Sequence, residues 1–94
     1  MIVEVKKFGA ILNSRPSGRE AVLIVKQIIN GSKDIDEIIL DFNGVDIITP
    51  SFADEFISGI KEFYPKSNVK IIGMENNPVI KDVLNSIEKN RNAQ

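Results

Sequence analysis

Residues 40–60, LDFNGVDIITPSFADEFISGI, decide how this chain folds. The segment starts with apolar residues typical of a buried strand, passes an Asn-Gly turn signal at residues 43–44, and becomes apolar again. From Ser51 onward, apolar residues recur at the spacing of a helix, with polar residues opposite them; the apolar positions are Phe52, Phe56, Ile60 and Phe63. The segment therefore predicts a buried strand, a tight turn, a short second extended piece and then a helix, with Ser51 as the N-cap residue of that helix.

Three further stretches have strand patterns. Residues 2–6 alternate between apolar and polar side chains, which predicts a strand near a sheet edge. Residues 8–12 are expected to form a second short strand that makes a hairpin with the first. The continuous apolar run within 37–42 predicts a strand covered on both faces, and 69–72 predicts a third core strand.

Two further helices have recognisable start signals. Ser17 and Glu20 fit a capping box, which predicts a helix from there to about residue 30, with Gly31 just beyond its end. Asn77 and Pro78 fit the N-cap and first position of the last helix. Helical spacing predicts one buried stripe on each of these helices and leaves Leu23 exposed. The stripe of the first helix contains Ala21, Val22, Val25, Ile28 and Ile29. The stripe of the last helix contains Val79, Ile80, Val83, Leu84 and Ile87.

Strands that alternate with helices predict an α/β fold: one domain over residues 1–94, with a mainly parallel sheet of about four strands and about three helices. In such a sheet, the loops that follow the strands meet at one edge, and binding sites commonly lie at that edge. Here those loops are residues 13–17, 44–51 and 74–77. Three helix N-termini would open onto the edge, which favours negative charge there.

Composition excludes several classes of function. The chain has no cysteine and no histidine, so thiolate chemistry and the commonest general base and metal ligand are excluded. A net charge of −1 gives no basic surface for nucleic acid or an anionic membrane. No apolar run approaches the roughly 20 residues that span a bilayer. We expect a cytoplasmic protein that is not an enzyme and that has no metal or other cofactor.

Four charged residues lie beside a predicted turn or a predicted helix start. Asp41 and Asp46 flank the turn at 43–44, but no third oxygen ligand is spaced to join them, so local backbone hydrogen bonds are expected. Arg15 and Arg19 bracket the predicted start of the first helix, where a cation opposes the helix dipole. They are either solvated or candidates for binding an anion or an acidic partner.

Residues 41–56, DFNGVDIITPSFADEF, resemble the central motif of a STAS-like domain family of unassigned function found in prokaryotes. That family is in turn similar to the STAS domains of anti-sigma factor antagonists. In those antagonists, a strand leads into an Asp-Ser-Ser-Gly turn at a helix start, and a histidine-kinase-like ATPase phosphorylates the second serine. Ser51 matches that serine, whereas Thr49, Pro50 and Phe52 stand in place of the aspartate, the first serine and the glycine.

The resemblance implies a regulatory module that works by protein–protein interaction and is switched by phosphorylation of Ser51 by an ATPase partner. Its partner-binding candidates are Thr49, Ser51, Asp54 and Glu55. Ser51 could instead serve only as a helix cap. The alternative function is a sensor that binds an anion or a nucleotide at the gathered helix N-termini through Arg15 and Arg19.

Overall fold

The computed structural model describes residues 1–29 and 35–92. Strands and helices alternate along most of this length, in the order that the sequence predicts. A short 3-10 helix, Val5–Phe8, follows the first strand. The remaining elements are β1 (Ile2–Glu4), β2 (Ile11–Leu12), α1 (Arg15–Ile29), β3 (Glu37–Asp41), β4 (Ile47–Ile48), α2 (Pro50–Phe63), β5 (Asn68–Ile72) and α3 (Pro78–Asn92).

All strand pairing is parallel, but it forms two sheets rather than the single sheet of about four strands that was expected. The larger sheet has the order β1-β3-β5, in which Ile39 lies between Ile2 and Lys70. The smaller sheet pairs β2 with β4, with Leu12 beside Ile48. The alternation of strands and helices therefore predicts the α/β class and the parallel pairing correctly, but not the division of the strands.

The expected hairpin between the first two strands is wrong. The 3-10 helix turns the chain directly after β1, so β2 leaves the edge of the larger sheet and pairs with β4. The amide groups of Asp46 and Ile47 both donate to the Ala10 carbonyl, at 2.8 and 3.1 Å. These hydrogen bonds hold residues 10–12 against the segment that leads into α2, and so help to place the start of that helix.

The core lies between one face of the larger sheet and the helices. Ile38 and Leu40 are fully buried in β3, whereas Ile39 between them is only half-buried, so this strand is covered completely on one face and not on both. Buried apolar residues of all three helices contribute to this core: Ala21, Val22, Val25, Ile29, Phe52, Ala53, Phe56, Ile57, Ile60, Ile80, Leu84 and Ile87.

Some expected core positions are exposed. Ile28 is 56% exposed and Val79 is 62% exposed, although helical spacing placed both on buried stripes. The buried stripe of α1 is narrower than expected because it follows Ala21, Val22, Val25 and Ile29. Leu23 is exposed, as the sequence predicts. The expected helix end at Gly31 lies outside the described residues.

Helices α1 and α2 approach closely at two glycines. A β-carbon on Gly18 would lie 2.9 Å from the Phe52 carbonyl oxygen, and one on Gly59 would lie 2.7 Å from a Val22 methyl group. Distances this short are overlaps, so any larger residue would force the helices apart. The two glycines therefore set the separation of the helices and bring the start of α1 against the first turns of α2.

Candidate functional site

Thr49, not Ser51, is the N-cap residue of α2. Its backbone is extended (φ −89°, ψ 154°), and its Oγ1 accepts a hydrogen bond from the Phe52 amide at 3.3 Å. Pro50 occupies the first helical position, where its fixed φ and missing N–H are tolerated. The expectation of a Ser51 cap is wrong by two residues, because Pro50 starts the helix and the residue before it becomes the cap.

This correction leaves the Ser51 hydroxyl without a capping role. Ser51 lies in the first turn of α2 and is half-buried. Within the described part of the chain its side chain makes no hydrogen bond. The hydroxyl is therefore at a helix N-terminus and available for chemistry or for contact with another molecule.

Phe52, the bulky residue after Ser51, points into the core. It is 1% exposed, and its ring centroid lies 5.6 Å from that of Phe56. The aromatic side chain therefore lies beneath the helix and does not cover Ser51 from the solvent side.

The first helix also starts earlier than predicted. α1 begins at Arg15, and Ser14 precedes it with a positive φ of 75°. The Ser14 Oγ accepts from the Ser17 amide at 3.3 Å, and the Ser14 carbonyl accepts from the Gly18 amide at 3.2 Å. Ser14 thus performs the capping that the sequence assigned to Ser17, and Ser17 lies inside the first turn.

Because α1 begins at Arg15, two arginines one turn apart face the acidic residues of α2. The Arg15 Nη1 donates to Asp54 Oδ2 at 2.9 Å and to Glu55 Oε2 at 3.5 Å. The Arg19 Nε donates to Glu55 Oε1 at 3.3 Å. We call these four residues the arginine–carboxylate cluster. It joins the residues that were considered for anion binding to two of those that were considered for partner binding.

The charges of this cluster largely compensate one another. The hydrogen bond to Asp54 raises the pKa of Arg15, and the negative charges of Asp54 and Glu55 add to that effect, while desolvation opposes it. All four side chains remain partly exposed, so each ion pair is screened by water. The cluster orients side chains at the surface more than it stabilises the fold.

Sequence reasoning identified these four residues but missed that they meet. The sequence feature that indicates their contact is Gly18, which lies inside a helical pattern where glycine is otherwise unfavourable. A glycine at such a position often marks a close approach of another backbone. Here the approaching backbone is that of Phe52, directly beside Asp54 and Glu55.

The three predicted loops do meet at one edge. The Thr49 amide donates to the Leu12 carbonyl at 2.9 Å, which joins the start of α2 to the loop before α1. Asn77 caps α3 as predicted, since its Oδ1 accepts from the Ile80 amide at 3.2 Å. Its Nδ2 also donates to the Asp46 carbonyl at 3.2 Å. Ser51 therefore lies at an edge to which the N-termini of all three helices contribute.

Asp41 contacts the backbone of the turn at residues 43–44. The Asp41 Oδ1 accepts from the Asn43 amide at 2.9 Å, which is the local turn contact that the sequence predicts. Across residues 1–29 and 35–92, no group of three or more carboxylates is arranged to hold a metal ion. Among the same residues, no helix has both the length and the apolar character needed to cross a membrane.

Comparison with known proteins identifies the family. The family model described as "STAS-like domain of unknown function (DUF4325)" matches residues 20–78, which include β3, β4, α2 and β5. No curated protein and no solved structure matches the chain. The matched region covers more than half of the sequence and contains Ser51, Asp54 and Glu55. The chain therefore belongs to the family of STAS-like domains of unknown function.

Proposed function

We propose that this protein is a regulatory protein–protein interaction module that resembles an anti-sigma factor antagonist. Its docking surface consists of the first turn of α2, with Ser51 at its centre and Thr49, Asp54 and Glu55 around it. Its partner is an ATPase of the histidine-kinase-like type, which phosphorylates Ser51 and thereby changes the affinity of the two proteins for each other.

The main support for the proposal is that the Ser51 hydroxyl does not cap the helix. Thr49 caps the helix, so modification of Ser51 removes no hydrogen bond from the described structure. A phosphoryl group at this position lies in the first helical turn, where the dipole favours negative charge by typically 0.3–1 kcal/mol at exposed sites. Phosphorylation is therefore compatible with the fold and acts mainly on the surface.

The surroundings of Ser51 support the same function. Asp54 and Glu55 follow it by three and four residues, so their side chains lie on the same side of the helix. Arg15 and Arg19 pair with these two carboxylates, which reduces their electrostatic repulsion of a phosphoryl group on Ser51. The buried position of Phe52 leaves room for an enzyme that must approach the serine.

The alternative, an anion or nucleotide sensor, has less support. Arg15 and Arg19, which would bind the anion, already donate to carboxylates. An anion at this position would have to displace Asp54 or Glu55 from the guanidinium groups. No contact in the described residues favours that exchange over the existing pairs.

Phosphotransfer in a purified system tests the proposal. The protein is mixed with the histidine-kinase-like ATPases of its own genome and Mg-ATP, and intact mass spectrometry measures the gain of a phosphoryl group. We expect one such ATPase to modify the wild-type protein and the Ser86→Ala control, in which an exposed serine of α3 is removed, but not Ser51→Ala. If no ATPase modifies the wild-type protein, or if Ser51→Ala is modified equally, the proposed switch is wrong.

A further inference from the structure

The arginine–carboxylate cluster lies over the same sector of α2 as Ser51. Arg15 donates to both Asp54 and Glu55, so its guanidinium lies between these two side chains around the helix. Since an α-helix turns by about 100° per residue, Ser51 falls between the same two positions, about 60° from Asp54 and about 40° from Glu55. Helical side chains tilt toward the N-terminus, which here directs both carboxylates toward the serine. The Arg15 guanidinium therefore lies on the Ser51 side of α2.

The alignment of the two helices also brings Arg15 level with the start of α2. The close contacts at the glycines link Gly18 to Phe52 and, further along both helices, Val22 to Gly59. Both contacts advance toward the C-termini, so α1 and α2 run in the same direction. Arg15 precedes Gly18 by one turn, and it therefore lies level with the first turn of α2, which contains the serine.

A phosphoryl group on Ser51 would be a better acceptor for this guanidinium than the Asp54 carboxylate. It carries a charge of about −1.5 to −2 at neutral pH and three acceptor oxygens. The planar arginine fork binds such a group through two parallel hydrogen bonds. The existing pair is held weakly by comparison, because its two side chains are 52% and 40% exposed and water screens them.

We propose that Arg15 binds the phosphoryl group of phosphorylated Ser51 and leaves Asp54 when it does so. This inference rests on the proposed modification of Ser51. The guanidinium stays over the first turns of α2 and turns its donors from the carboxylate to the phosphoryl oxygens. Arg19 lies one turn further along α1 and keeps its contact with Glu55. Arg15 is thus the residue that transmits the modification to the rest of the docking surface.

The exchange changes the electrostatic state of Asp54, which is itself a partner-binding candidate. Its Oδ1 accepts from the Ser58 hydroxyl at 3.3 Å, and its Oδ2 accepts from Arg15. When Arg15 turns away, its positive charge compensates the phosphoryl group in place of the carboxylate. The negative charge of Asp54 is then more strongly felt by a partner, so phosphorylation alters two neighbouring anions of one surface.

A free anion does not produce the same exchange. It must displace Asp54 at its own concentration in solution, whereas a phosphoryl group on Ser51 is held beside Arg15 by the helix. Attachment to the same molecule raises the effective concentration of a group without any new contact. The guanidinium is therefore selective for phosphate that is attached to the serine, which agrees with the weak support for an anion sensor.

Phosphorus NMR of the full chain, with genetically encoded phosphoserine at position 51, tests the exchange and requires no ATPase. The second pKa of phosphoserine is about 6, and a neighbouring positive charge lowers it. We expect the midpoint with Arg15 present to lie about 0.5 pH unit or more below the midpoint in Arg15→Ala. Arg19→Ala is the matched control. It removes the same charge from the same cluster, one turn further from the serine, and should raise the midpoint much less.

Nitrogen NMR of the arginine side chains gives a second test. The Nε–Hε signal of Arg15 should shift when position 51 carries phosphoserine, and that of Arg19 should shift much less. Phosphoserine at position 86, which is exposed in α3, should shift neither signal. Far-ultraviolet circular dichroism and thermal unfolding verify that each variant is folded.

Three results would overturn the exchange. They are an unchanged phosphoserine midpoint in Arg15→Ala, an equal rise in Arg19→Ala, and an Arg15 signal that does not respond to phosphoserine at position 51. Because the phosphoryl group is introduced during synthesis of the protein, none of these results depends on an ATPase. Failure of the exchange would thus leave phosphotransfer to Ser51 intact, and failure of phosphotransfer would be seen separately.

Discussion

Arg15 and Asp54, 39 residues apart in the sequence, form a direct ion pair with 2.9 Å between Nη1 and Oδ2. The pair connects the first residue of α1 to the first turns of α2. It exists because Gly18 lets the two helices approach and because Ser14 starts α1 early enough to include Arg15. Two local features of α1 thus determine which charges surround Ser51.

Removing the Arg15 guanidinium should change the charge of the surface around Ser51 more than it changes the stability of the fold. We expect Arg15→Ala to lower the free energy of unfolding only slightly, because the side chains of this pair are 52% and 40% exposed. A double-mutant cycle of Arg15→Ala and Asp54→Asn, measured by urea unfolding at low and high salt, checks this. The coupling should be favourable at low salt and decrease as salt increases. A coupling that salt leaves unchanged would contradict a screened surface pair.

Thr49 and Ser51 should differ in their effect on stability. Thr49→Ala removes the side-chain oxygen that accepts from the Phe52 amide, so it should lower the free energy of unfolding by about 1 kcal/mol, with a range of about 0.5–2. Ser51→Ala removes no hydrogen bond and should stay within about 0.5 kcal/mol of the wild type. Urea unfolding monitored by circular dichroism measures both variants. Equal losses, or a larger loss for Ser51→Ala, would contradict the assignment of the cap to Thr49.

Gly18→Ala should destabilise the protein although alanine is the better helix former. The new methyl group would meet the Phe52 carbonyl oxygen, and overpacking of this kind costs about 1–3 kcal/mol. The gain of about 1 kcal/mol in helix propensity offsets only part of that cost. Thermal unfolding measures the change.

Gly59→Ala provides the comparison for Gly18→Ala. Its new methyl group would meet the end of the Val22 side chain, not a backbone atom. Combining it with Val22→Ala should therefore cost less than the sum of the two single changes. If Gly18→Ala is as stable as the wild type, the close contact between the helices is wrong.

Glu4 should titrate below its ordinary range. A hydrogen bond from Lys7, together with the positive charge of that lysine, lowers the pKa of Glu4 from the usual 4.5. Because the folded-state pKa is the lower one, the resulting stability is present above the unfolded pKa and is lost as the pH falls through the folded pKa. Carboxyl chemical shifts measured by NMR against pH check the midpoint. It should rise in Lys7→Ala and stay in place in the distant control Lys66→Ala; an equal midpoint in all three proteins would exclude the Glu4–Lys7 contact.

The sequence predicts the fold class because its strongest signals are periodic. Helical spacing places Phe52, Phe56 and Ile60 in the core correctly, whereas Phe63, on the same predicted stripe, is 49% exposed. The short apolar run around Leu40 does form the central strand. The division of the strands was not predictable in the same way. It depends on the 3-10 helix at Val5–Phe8, where alternation alone indicates a continued strand.

The helix starts show where local rules compete. Ser17 with Glu20 satisfies the capping-box pattern, but Ser14 caps α1 instead and places Ser17 inside the helix. At α2, Pro50 takes the first helical position, which moves the cap to Thr49. At α3, Asn77 and Pro78 satisfy the same rule without a competitor, and that prediction is confirmed. The arginine–carboxylate cluster depends on tertiary contact between α1 and α2, which no local pattern contains.

The most direct test of the proposed switch measures how the ATPase partner binds Ser51→Asp. Isothermal titration calorimetry compares this variant with the wild type and with Ser86→Asp, which adds a charge at an exposed position of α3, while thermal unfolding confirms that all three are folded. We predict that Ser51→Asp changes the dissociation constant by about tenfold or more, equal to about 1.4 kcal/mol, at nearly unchanged stability, and that Ser86→Asp changes it less. Identical dissociation constants for Ser51→Asp and the wild type would contradict a regulatory surface at the start of α2.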